Sequence, residues 1–471
     1  MIDTIEKKIT NNFEVFSKTI SADTFTPVAL FMKLRDAYTH PVLLESNDFG
    51  NKEESHSYIG LEVMASFEVK NGVIAIDNFQ GKRQYSNVSQ DNDVVNLLSE
   101  FVQSFKTKTE SESFNGLFGH TNFDAVQYFD TIKFPKEKRK RDIPDIKYNF
   151  YRYILSFNHF KDELTIIENV PKDEQSTISD LEAKINNPTF PKFDFKTIGT
   201  ETSNLTDEEF KEFVRLGKHH CQIGDVFQIV LSRQFQQKFI GDDFAVYRKL
   251  RSINPSPYLF YFDYGDYKIF GSSPESQMVI KDNKAVVNPI AGTFKRTGDQ
   301  EQDYQLGQKL LNDKKEHSEH IMLVDLARND LSKHTRNVKV KNLMDVQFFS
   351  HVIHLVSRVE GDLQKDANTI RIFGDTFPAG TLSGSPKYKA IELINQYENQ
   401  NRGIYGGAIG LIDLSGNMNQ AILIRSFLSH ANTLYYQAGA GIVISSDEEK
   451  ELQEVNHKLN ALTMAVRDTS S

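Results

Sequence analysis

The second half of the chain consists largely of short apolar segments separated by turn residues, and this pattern restricts the fold more than any other. The segments include PYLFYFDYG, YKIFGSSP, KAVVNPIAGT, YGGAIGLIDL, MNQAILIRSFL and TLYYQAGAGIVI, and such runs are typical of β-strands. Three stretches, about 303–330, 385–400 and 447–466, have the residue spacing of helices instead. Runs of strands with segregated helices, without strict βαβ alternation, predict an α+β fold with large antiparallel sheets.

Changes in pattern along the 471 residues divide the chain into three segments. Hairpin-like sequence such as EVKNGVIAIDNF marks the first, and two strands in YNFYRYILSFNHFKDELTIIENV open the second. Residues 166–200 are polar and contain prolines, which predicts a surface excursion. The third opens with a helix for which Thr206 and Glu209 predict a capping box. The predicted segments are 1–140, 141–200 and 201–471.

Charge and apolar content exclude several classes of partner. The net charge of −9 works against binding to nucleic acid or to an anionic membrane. The basic run KEKRKR, Lys136–Arg141, lies between Pro135 and Pro144, and we interpret it as a solvated linker. No run approaches the roughly 18 apolar residues of a membrane helix, and the start MIDTIEKKITNNF is too polar for a signal peptide. We therefore expect a soluble, cytoplasmic protein without membrane contact.

The single cysteine, Cys221, cannot form an internal disulfide, which agrees with a reducing compartment and excludes a cysteine-based structural zinc site. Histidine pairs suggest a different metal. His317 with His320, and His351 with His354, have an HxxH spacing that a zinc hydrolase could use. HSEH is not the HExxH motif, however, and histidines in apolar sequence are more often core residues. We therefore favour core histidines over a zinc hydrolase.

The stretch EHSEHIMLVDLARND places carboxylates close together on one helix face. Glu316, Glu319 and His320 are spaced i, i+3 and i+4 and are therefore neighbours. Two nearby carboxylates repel each other unless a cation, a proton or solvent intervenes. A second helix, SSDEEKELQEVNHKL, carries Glu451 and Glu454 on one face. Carboxylates from two helices would suit Mg²⁺, but ordinary surface ion pairing explains the same spacing.

Two features of the C-terminal strands could bind an anion. The glycine-rich stretch Gln437–Val443 follows a strand, and bare backbone N–H groups there could approach an anion, although tight strand packing explains the glycines equally well. Arg425 is a charge within the apolar strand AILIRSF. Such an arginine usually has a buried carboxylate partner, from the protein or from a ligand.

Ten motifs identify a family resemblance. They are GDVFQIVLSR, NPSPYLFYF, GSSPE, NPIAGTFKRTG, KKEHSEHIMLVDLARNDL, HLVSRVEG, FPAGTLSGSPK, RGIYGGAIG, ILIRS and QAGAGIV, in order over residues 220–460. The chain resembles the chorismate-utilising enzymes, most closely their anthranilate synthase component I branch. PVLLES, SYIG and FDAVQYF extend the resemblance over most of the chain. It implies antiparallel sheets that form a sandwich with helices packed outside, in two interleaved subdomains.

The resemblance also implies a Mg²⁺-dependent site for chorismate. Glu319 and Glu454 match the family's Mg²⁺ ligands, and Glu316 lies in the same site, where it assists the metal or the proton chemistry. His354 matches the histidine near the leaving C4 hydroxyl. Together with Glu316, the other positions expected to act in catalysis are Gln228 and Thr293. The positions that match chorismate-binding residues are Gly292, Thr293, Tyr405, Arg425, Gly439, Ala440 and Gly441.

Two positions distinguish branches of this family. Gln228 stands where water-adding synthases carry a lysine base, and Ala291 stands where aminodeoxychorismate synthases commonly carry a nucleophilic lysine. Gln228 matches the ammonia-using branch, and Ala291 matches anthranilate synthase. The implied reaction adds ammonia at C2 of chorismate with Mg²⁺-assisted loss of the C4 hydroxyl, and elimination of pyruvate then aromatises the ring. Aminodeoxychorismate synthase component I and a non-catalytic tryptophan sensor of the same fold are the alternatives.

The implied reaction needs a source of ammonia and is expected to be regulated. Cys221 lacks the glycine-flanked elbow of glutamine amidotransferases, so the resemblance implies a separate glutaminase subunit. LLES and NPSPYLF resemble the family's tryptophan-inhibition site, to which Ser46, Pro257, Tyr258 and Leu259 would contribute. As bare sequence, the first motif is a strand end and the second a turn.

Overall fold

Strands pair into one large sheet in the computed structural model, which describes residues 11–46, 55–107, 114–187, 191, 193–348 and 352–470. His351 lies outside these residues, as do the side chains of Ser46 and Thr293. The strands are β1 Asn11–Ser21, β2 Val42–Ser46, β3 His56–Lys70, β4 Val73–Asp77, β5 Arg83–Asn87, β6 Phe105–Thr107, β7 Gly116–Thr121, β8 Ile146–Asn158, β9 Glu163–Pro171, β10 Phe195–Ser203, β11 Gln228–Gly241, β12 Tyr258–Asp263, β13 Tyr267–Ser273, β14 Ser276–Lys281, β15 Lys284–Val287, β16 Ile290–Lys295, β17 Thr335–Phe348, β18 Val352–Leu363, β19 Gly384–Ser385, β20 Ala408–Asp413, β21 Met418–Ile422, β22 Ser426–His430 and β23 Thr433–Ile442.

Helices lie between and after these strands. They are α1 Pro27–Leu34, α2 Val94–Ser104, α3 Ile178–Ile185, α4 Asp207–Gln222, α5 Phe244–Ile253, α6 Gln300–Leu311, α7 Lys314–Ser332, α8 Thr369–Thr376, α9 Gly380–Ser383, α10 Lys387–Tyr397 and α11 Glu448–Ser470, with short 3₁₀ turns at Arg35–Ala37, Phe123–Tyr128 and Lys136–Lys138. Within the described ranges, no helix is both long and apolar enough to cross a membrane.

Two long arms of the sheet meet at β8, which also pairs with the shorter branch β9–β1–β6. One arm runs β8–β3–β2–β12–β13–β22–β23–β11–β10, and the other runs β8–β7–β20–β21–β14–β15–β18–β17, with β16 also beside β18. Neighbours in both arms are antiparallel. Among the described strands, no path of pairings returns to its start, so the sheet is open. The predicted α+β fold with large antiparallel sheets is confirmed.

The two arms face each other and bury side chains on both sides of the sheet. Phe260 and Phe262 of β12 pack between the arms with Phe118 of β7 and Ile409 of β20. Tyr261, between them in sequence, points to the opposite face and packs 4.9 Å, ring to ring, from Phe244 of α5. This alternation explains why β12 is apolar or aromatic up to Phe262, since both faces of the strand are covered. Helices therefore lie outside a sandwich of two sheet arms.

Strands from the beginning and the end of the chain are neighbours in this sheet. β2 pairs with β12, and β7 pairs with β20. The N-terminal and C-terminal parts are therefore interleaved. The segment boundaries at 140 and 200 stay a prediction.

Three local expectations need correction. The single helix expected near 303–330 is two helices, because Asn312 caps α6 and the Asp313 carboxylate accepts the backbone N–H of Glu316, 3.2 Å away, at the start of α7. The excursion expected at 166–200 contains the end of β9, the partly buried helix α3 and the start of β10.

The basic run KEKRKR is not simply a solvated linker. Lys138 binds the carbonyl oxygens at the C-terminus of α10, including that of Glu398 at 2.8 Å, where a cation complements the helix dipole. Arg139 forms an ion pair with the buried Asp145, with 2.6 Å between Nη1 and Oδ1. These contacts hold the run against the protein.

Candidate active site

A bulge between β16 and β18 positions a histidine. The register shifts between Ala291 and Thr293, and Gly292 has a φ of +67°, a backbone conformation that favours glycine. The Gly292 carbonyl accepts a hydrogen bond from His354 Nδ1 at 2.8 Å. Because a carbonyl only accepts, Nδ1 carries the proton, and Nε2 of the neutral ring is an acceptor.

The His354 ring is neutral at pH 7. Burial lowers its pKa below the usual 6.5, and the positive charge of Arg425 lowers the pKa further, while the hydrogen bond to Gly292 acts in the opposite direction. The side chain is almost fully buried, at 9% exposure. A neutral, oriented imidazole can accept a proton or a hydrogen bond from a ligand.

The predicted carboxylate face of α7 is divided between this site and the core. An oxygen of Glu316 lies 3.1 Å from the point that a Cβ at Gly292 would occupy, so Glu316 borders the bulge. Glu316 and Glu319 are half-buried. His320 is fully buried and its Nε2 forms a hydrogen bond at 2.6 Å with the Ser357 hydroxyl, which also accepts the Met344 N–H. Burial lowers the His320 pKa to about 4, so this histidine is a neutral core residue.

Arg425 is a cation without an ion-pair partner in the described part of the chain, where no carboxylate oxygen lies within 4.0 Å of its guanidinium. Its Nη1 donates to the Lys458 carbonyl oxygen at 2.6 Å, and its φ of +51° turns the chain at the start of β22. Burial lowers its pKa, while Tyr405 and Glu454 act electrostatically in the opposite direction. The arginine is therefore available to a ligand carboxylate.

The glycine-rich end of strand β23 has no side chains on the face that it turns towards Arg425. Ala440 points into the hydrophobic core and is fully buried. Gly439 and Gly441 therefore face the opposite way, towards the site. A Cβ at Gly439 would lie 3.1 Å from the Tyr405 hydroxyl, and a Cβ at Gly441 would collide with the Gln228 amide. The absence of side chains at 439 and 441 lets both groups approach the backbone.

Tyr405 is held in place from two sides. Its hydroxyl forms a hydrogen bond with the Gly439 backbone, and burial raises its pKa to about 12, so it is protonated at neutral pH. Beneath it, the Arg402 guanidinium lies 5.5 Å from the ring centroid. Arg402 is paired with the buried Glu398 at 2.7 Å.

The amide of Gln228 has an unsatisfied atom. Its Oε1 is buried and has no hydrogen-bond partner among the described residues, while its Nε2 lies against Gly441. A buried acceptor without a donor costs free energy unless a ligand or water completes it. The site thus contains an acceptor for a small N–H or O–H donor.

Glu275 is a candidate functional residue that sequence reasoning missed. It is 9% exposed, and burial raises its pKa to about 7. The Thr381 hydroxyl donates to its Oε1 at 3.0 Å, and the charge of Lys458 acts to lower the pKa. Its motif GSSPE was recognised, but nothing in a local pattern indicates that this glutamate is buried and retains a proton.

Lys458 connects Glu275 to the rest of the site. Its Nζ donates to the Gly439 carbonyl at 2.9 Å and forms an ion pair with Glu454 at 2.6 Å. These residues are therefore linked by a continuous path of contacts. The path runs from Glu316 through the bulge and His354 to Arg425, and from there to β23, Tyr405 and α11. The structure brings Glu316, Gly292, His354, Arg425, Tyr405, Gly439, Gly441, Gln228 and Glu454 to one region.

Glu319 and Glu454 are carboxylates of the kind that Mg²⁺ uses, and the described residues do not form an all-protein metal cage. Across the described residues, no group of three or more His, Cys, Asp or Glu side chains is arranged to hold a metal ion. Glu454 is half exposed, and Glu319 is half-buried on α7. Mg²⁺ commonly uses one or two protein carboxylates and completes its shell with water and substrate oxygens. The described histidines therefore give the zinc-hydrolase hypothesis no ligand set, and His351 lies outside the described residues.

The residues expected to bind tryptophan lie in adjacent strands. Tyr258 of β12 is the register partner of Ser46 of β2, and Leu259 is the partner of Glu45. Pro257 immediately precedes β12 and is half-buried. The buried Glu45 carboxylate accepts a hydrogen bond from Tyr247 at 2.6 Å and a bidentate contact from Arg251. Segments more than 200 residues apart thus meet where the resemblance places an inhibitor site.

Comparisons with known proteins identify the family and the fold. Residues 49–464 match the family model described as chorismate binding enzyme. Anthranilate synthase component 1 of Aquifex aeolicus is 34% identical, over 98% of this chain and 96% of the relative. That of Acinetobacter calcoaceticus is 35% identical, over 96% and 94%.

Solved structures share the fold. The crystal structure of anthranilate synthase component I from Streptococcus pneumoniae superimposes with a TM-score of 0.76 at 31% identity, covering 94% of this chain and 99% of that one. MenF, the menaquinone-specific isochorismate synthase from Escherichia coli, superimposes with a TM-score of 0.71 at 18% identity, covering 98% and 96%.

Proposed function

The chain belongs to the chorismate-binding enzyme family, and from that premise we propose that it is the chorismate-converting subunit of a cytoplasmic anthranilate synthase. The reaction combines chorismate with ammonia and yields anthranilate, pyruvate and water. The curated relatives named anthranilate synthase component 1 support this choice within the family. So do Gln228 and Ala291, which stand where other branches carry lysines.

The observation that carries the proposal is Arg425. Chorismate has two carboxylates, and a site for it must offset their charge. Arg425 is a guanidinium with no protein carboxylate within 4.0 Å among the described residues, and it lies beside the bare face of β23 and the Tyr405 hydroxyl. A planar guanidinium can bind a carboxylate through two hydrogen bonds. Arg425 therefore anchors one substrate carboxylate, next to the glycine backbone that the Tyr405 hydroxyl and the Gln228 amide approach.

The proton balance assigns roles to His354 and Glu275. Forming the C2–N bond releases one proton from the attacking ammonia, and loss of the C4 hydroxyl as water consumes one. His354 Nε2 orients the C4 hydroxyl by accepting its hydrogen bond. Glu275, with a pKa of about 7, retains a proton in a large share of molecules at neutral pH and donates it to the departing oxygen. In the second stage the C2 proton leaves, the ring carbon–oxygen bond to the enolpyruvyl group breaks, and the ring becomes aromatic. The departing enolpyruvate takes up one proton and becomes pyruvate.

Glu319 and Glu454 would hold Mg²⁺, with Glu316 beside them. When bound, the ion supplies a counter-charge for the second substrate carboxylate and for the leaving group. Lys458, paired with Glu454 at 2.6 Å, positions that carboxylate at the edge of the site. Gly292 and Thr293, at the bulge of β16, match the family's chorismate-binding positions.

The ammonia comes from a glutaminase partner, and tryptophan inhibits the enzyme at the β2–β12 junction. The word component in the names of the relatives supports the first part. The register pairing of Ser46 with Tyr258 supports the second, since it brings two of the four expected contact residues together.

The test is to incubate the purified chain with chorismate, Mg²⁺ and excess ammonium, and to follow anthranilate by fluorescence and mass. We expect anthranilate, its loss with EDTA, and its recovery with added Mg²⁺. Glu454→Gln should raise the Mg²⁺ requirement, whereas Glu449→Gln, an exposed glutamate on the same helix, should not. Arg425→Met should lower kcat/KM by about 100-fold, as expected for loss of a charge-assisted contact.

Two outcomes would reject this function. Aminodeoxychorismate as the only product would assign the chain to the other ammonia-using branch. Unchanged chorismate together with tight tryptophan binding would indicate a sensor of the same fold.

A further inference from the structure

Three exposed apolar side chains lie close to Gln228. They are Ile223, Phe227 and Ile444, which are 58%, 73% and 59% exposed, and we call them the entrance patch. An isolated exposed apolar residue is ordinary, but adjacent ones indicate an interaction surface.

Contacts with Cys221 bring the three chain segments that carry these residues together. The Cys221 thiol lies 3.6 Å from both the Phe227 and the Ile442 carbonyl oxygens. Ile223 follows that cysteine by two residues, and Ile444 follows Ile442 by two. The backbone N–H of Phe227 is anchored to the Ser385 carbonyl at 2.7 Å. The entrance patch therefore lies at one end of the β11–β23 strand pair.

The same strand ends lead into the proposed active site. Phe227 immediately precedes Gln228, whose amide lies against Gly441. The Gln228 Oε1 is buried and has no hydrogen-bond partner in the described part of the chain. Ammonia that passed Phe227 would meet this acceptor first and could donate an N–H to it. One residue thus separates the protein surface from an unsatisfied acceptor in the site.

Two polar pairs lie near the entrance patch. Lys218 forms an ion pair with Glu448 at 3.1 Å, and His220 forms a hydrogen bond with Asp225 at 2.6 Å. A partner would therefore gain affinity mainly from apolar contact at the centre, surrounded by a polar rim, which is the composition of many specific protein interfaces. Aromatic residues such as Phe227 are common at the centre of such interfaces.

We propose that the entrance patch is the docking surface for the glutaminase component, with the ammonia exit of that component placed over Phe227 and Gln228. This inference rests on the proposed function, because the reaction requires ammonia and the described site offers it an acceptor here. A second copy of this chain on the same surface would cover both entrances and supply nothing to the reaction.

The experiment uses Ile444→Asp and Phe227→Ala, with Ile240→Asp as the matched control. Ile240 is a 51% exposed isoleucine at the other end of β11. Each variant is mixed with the glutaminase component of the same organism. Affinity is measured by calorimetry, and anthranilate formation is measured separately with glutamine and with ammonium.

We expect Ile444→Asp to weaken the complex at least about 30-fold, since a hot-spot change costs 2 kcal/mol or more. Its glutamine-dependent rate should fall with the affinity, while its ammonium-dependent rate stays within about twofold of wild type. Phe227→Ala should weaken the complex similarly. Ile240→Asp should change neither affinity nor rate.

Undiminished binding and glutamine-dependent turnover in both patch variants would overturn the proposal. So would a wild-type homodimer, seen by light scattering, that Ile444→Asp dissociates, because the patch would then bind a second copy. A wild-type chain that makes no anthranilate from ammonium would instead refute the proposed function, and the calorimetry would still report whether the patch binds the glutaminase.

Discussion

Glu275 and His354 show how the environment of a single position decides what a titratable group can do. Both are buried, and burial disfavours the charged form of each. Burial lowers the pKa of His354, so its ring is neutral. Burial raises the pKa of Glu275 to about 7, so this carboxyl keeps its proton at lower pH. The same physical cause therefore produces an acceptor and a donor in one site.

The stability of the protein should depend on pH through Glu275. Its pKa is about 7 in the folded protein and 4.5 as the ordinary value, so the folded state holds the proton more tightly. The stabilisation that Glu275 adds to the unfolding free energy is fully present below about pH 4.5 and is lost as pH rises through about 7. Between about pH 5.5 and 8, the unfolding free energy of wild type should fall by about 2 kcal/mol relative to Glu275→Gln. Urea unfolding at several pH values measures this, and parallel curves for the two proteins would contradict it.

Among the elements, β23 combines a structural role with a binding role. Its alanines fill the core, and its glycines face the site. The two glycines differ in what surrounds them. A Cβ at Gly439 would lie 2.7 Å from the backbone oxygen of Leu231, whereas a Cβ at Gly441 would meet only the flexible end of Gln228.

Gly439→Ala should therefore be more damaging than Gly441→Ala. The first change forces β11 and β23 apart and should cost about 1–3 kcal/mol of unfolding free energy, as overpacking does. The second should cost less stability, because the Gln228 side chain can rotate, but it should lower ammonia-dependent turnover by displacing that amide. Denaturation and steady-state kinetics on both variants separate the two effects. Equal losses of stability would argue against this packing account.

Over the whole molecule, the sheet connects the proposed inhibitor site to the catalytic region. β12 pairs with β2 on one side and β13 on the other, and β13 continues through β22 to β23. Arg425 immediately precedes β22. A ligand that binds between β2 and β12 therefore contacts the same continuous sheet that positions the substrate arginine.

Tryptophan should bind the folded chain and lower its ammonium-dependent turnover. At 100 times its Kd, a ligand specific for the folded state adds about 2.7 kcal/mol to the unfolding free energy, which thermal unfolding detects. Tyr258→Ala should remove both effects. Tyr85→Ala, at a 44% exposed tyrosine on β5, serves as the control. Full inhibition of the Tyr258 variant would exclude the β2–β12 junction as the binding site.

Local sequence patterns predicted the elements well. Apolar runs bounded by turn residues marked most of the strands, and the capping box of Thr206 and Glu209 is present with both of its hydrogen bonds. Ordered motifs indicated the family, which the comparisons confirm. These features depend on neighbouring residues and on short-range hydrogen bonds, so a single sequence contains them.

Other features required the tertiary structure. His320 and His354 lie in similar apolar sequence, yet the first is buried against Ser357 while the second faces the charge of Arg425. Glu275 retains a proton because segments distant in sequence exclude water from it. The entrance patch exists because the end of α4 meets the end of β23. Burial and long-range electrostatics depend on which segments, distant in sequence, come together in the fold. Local sequence patterns do not show which segments these are.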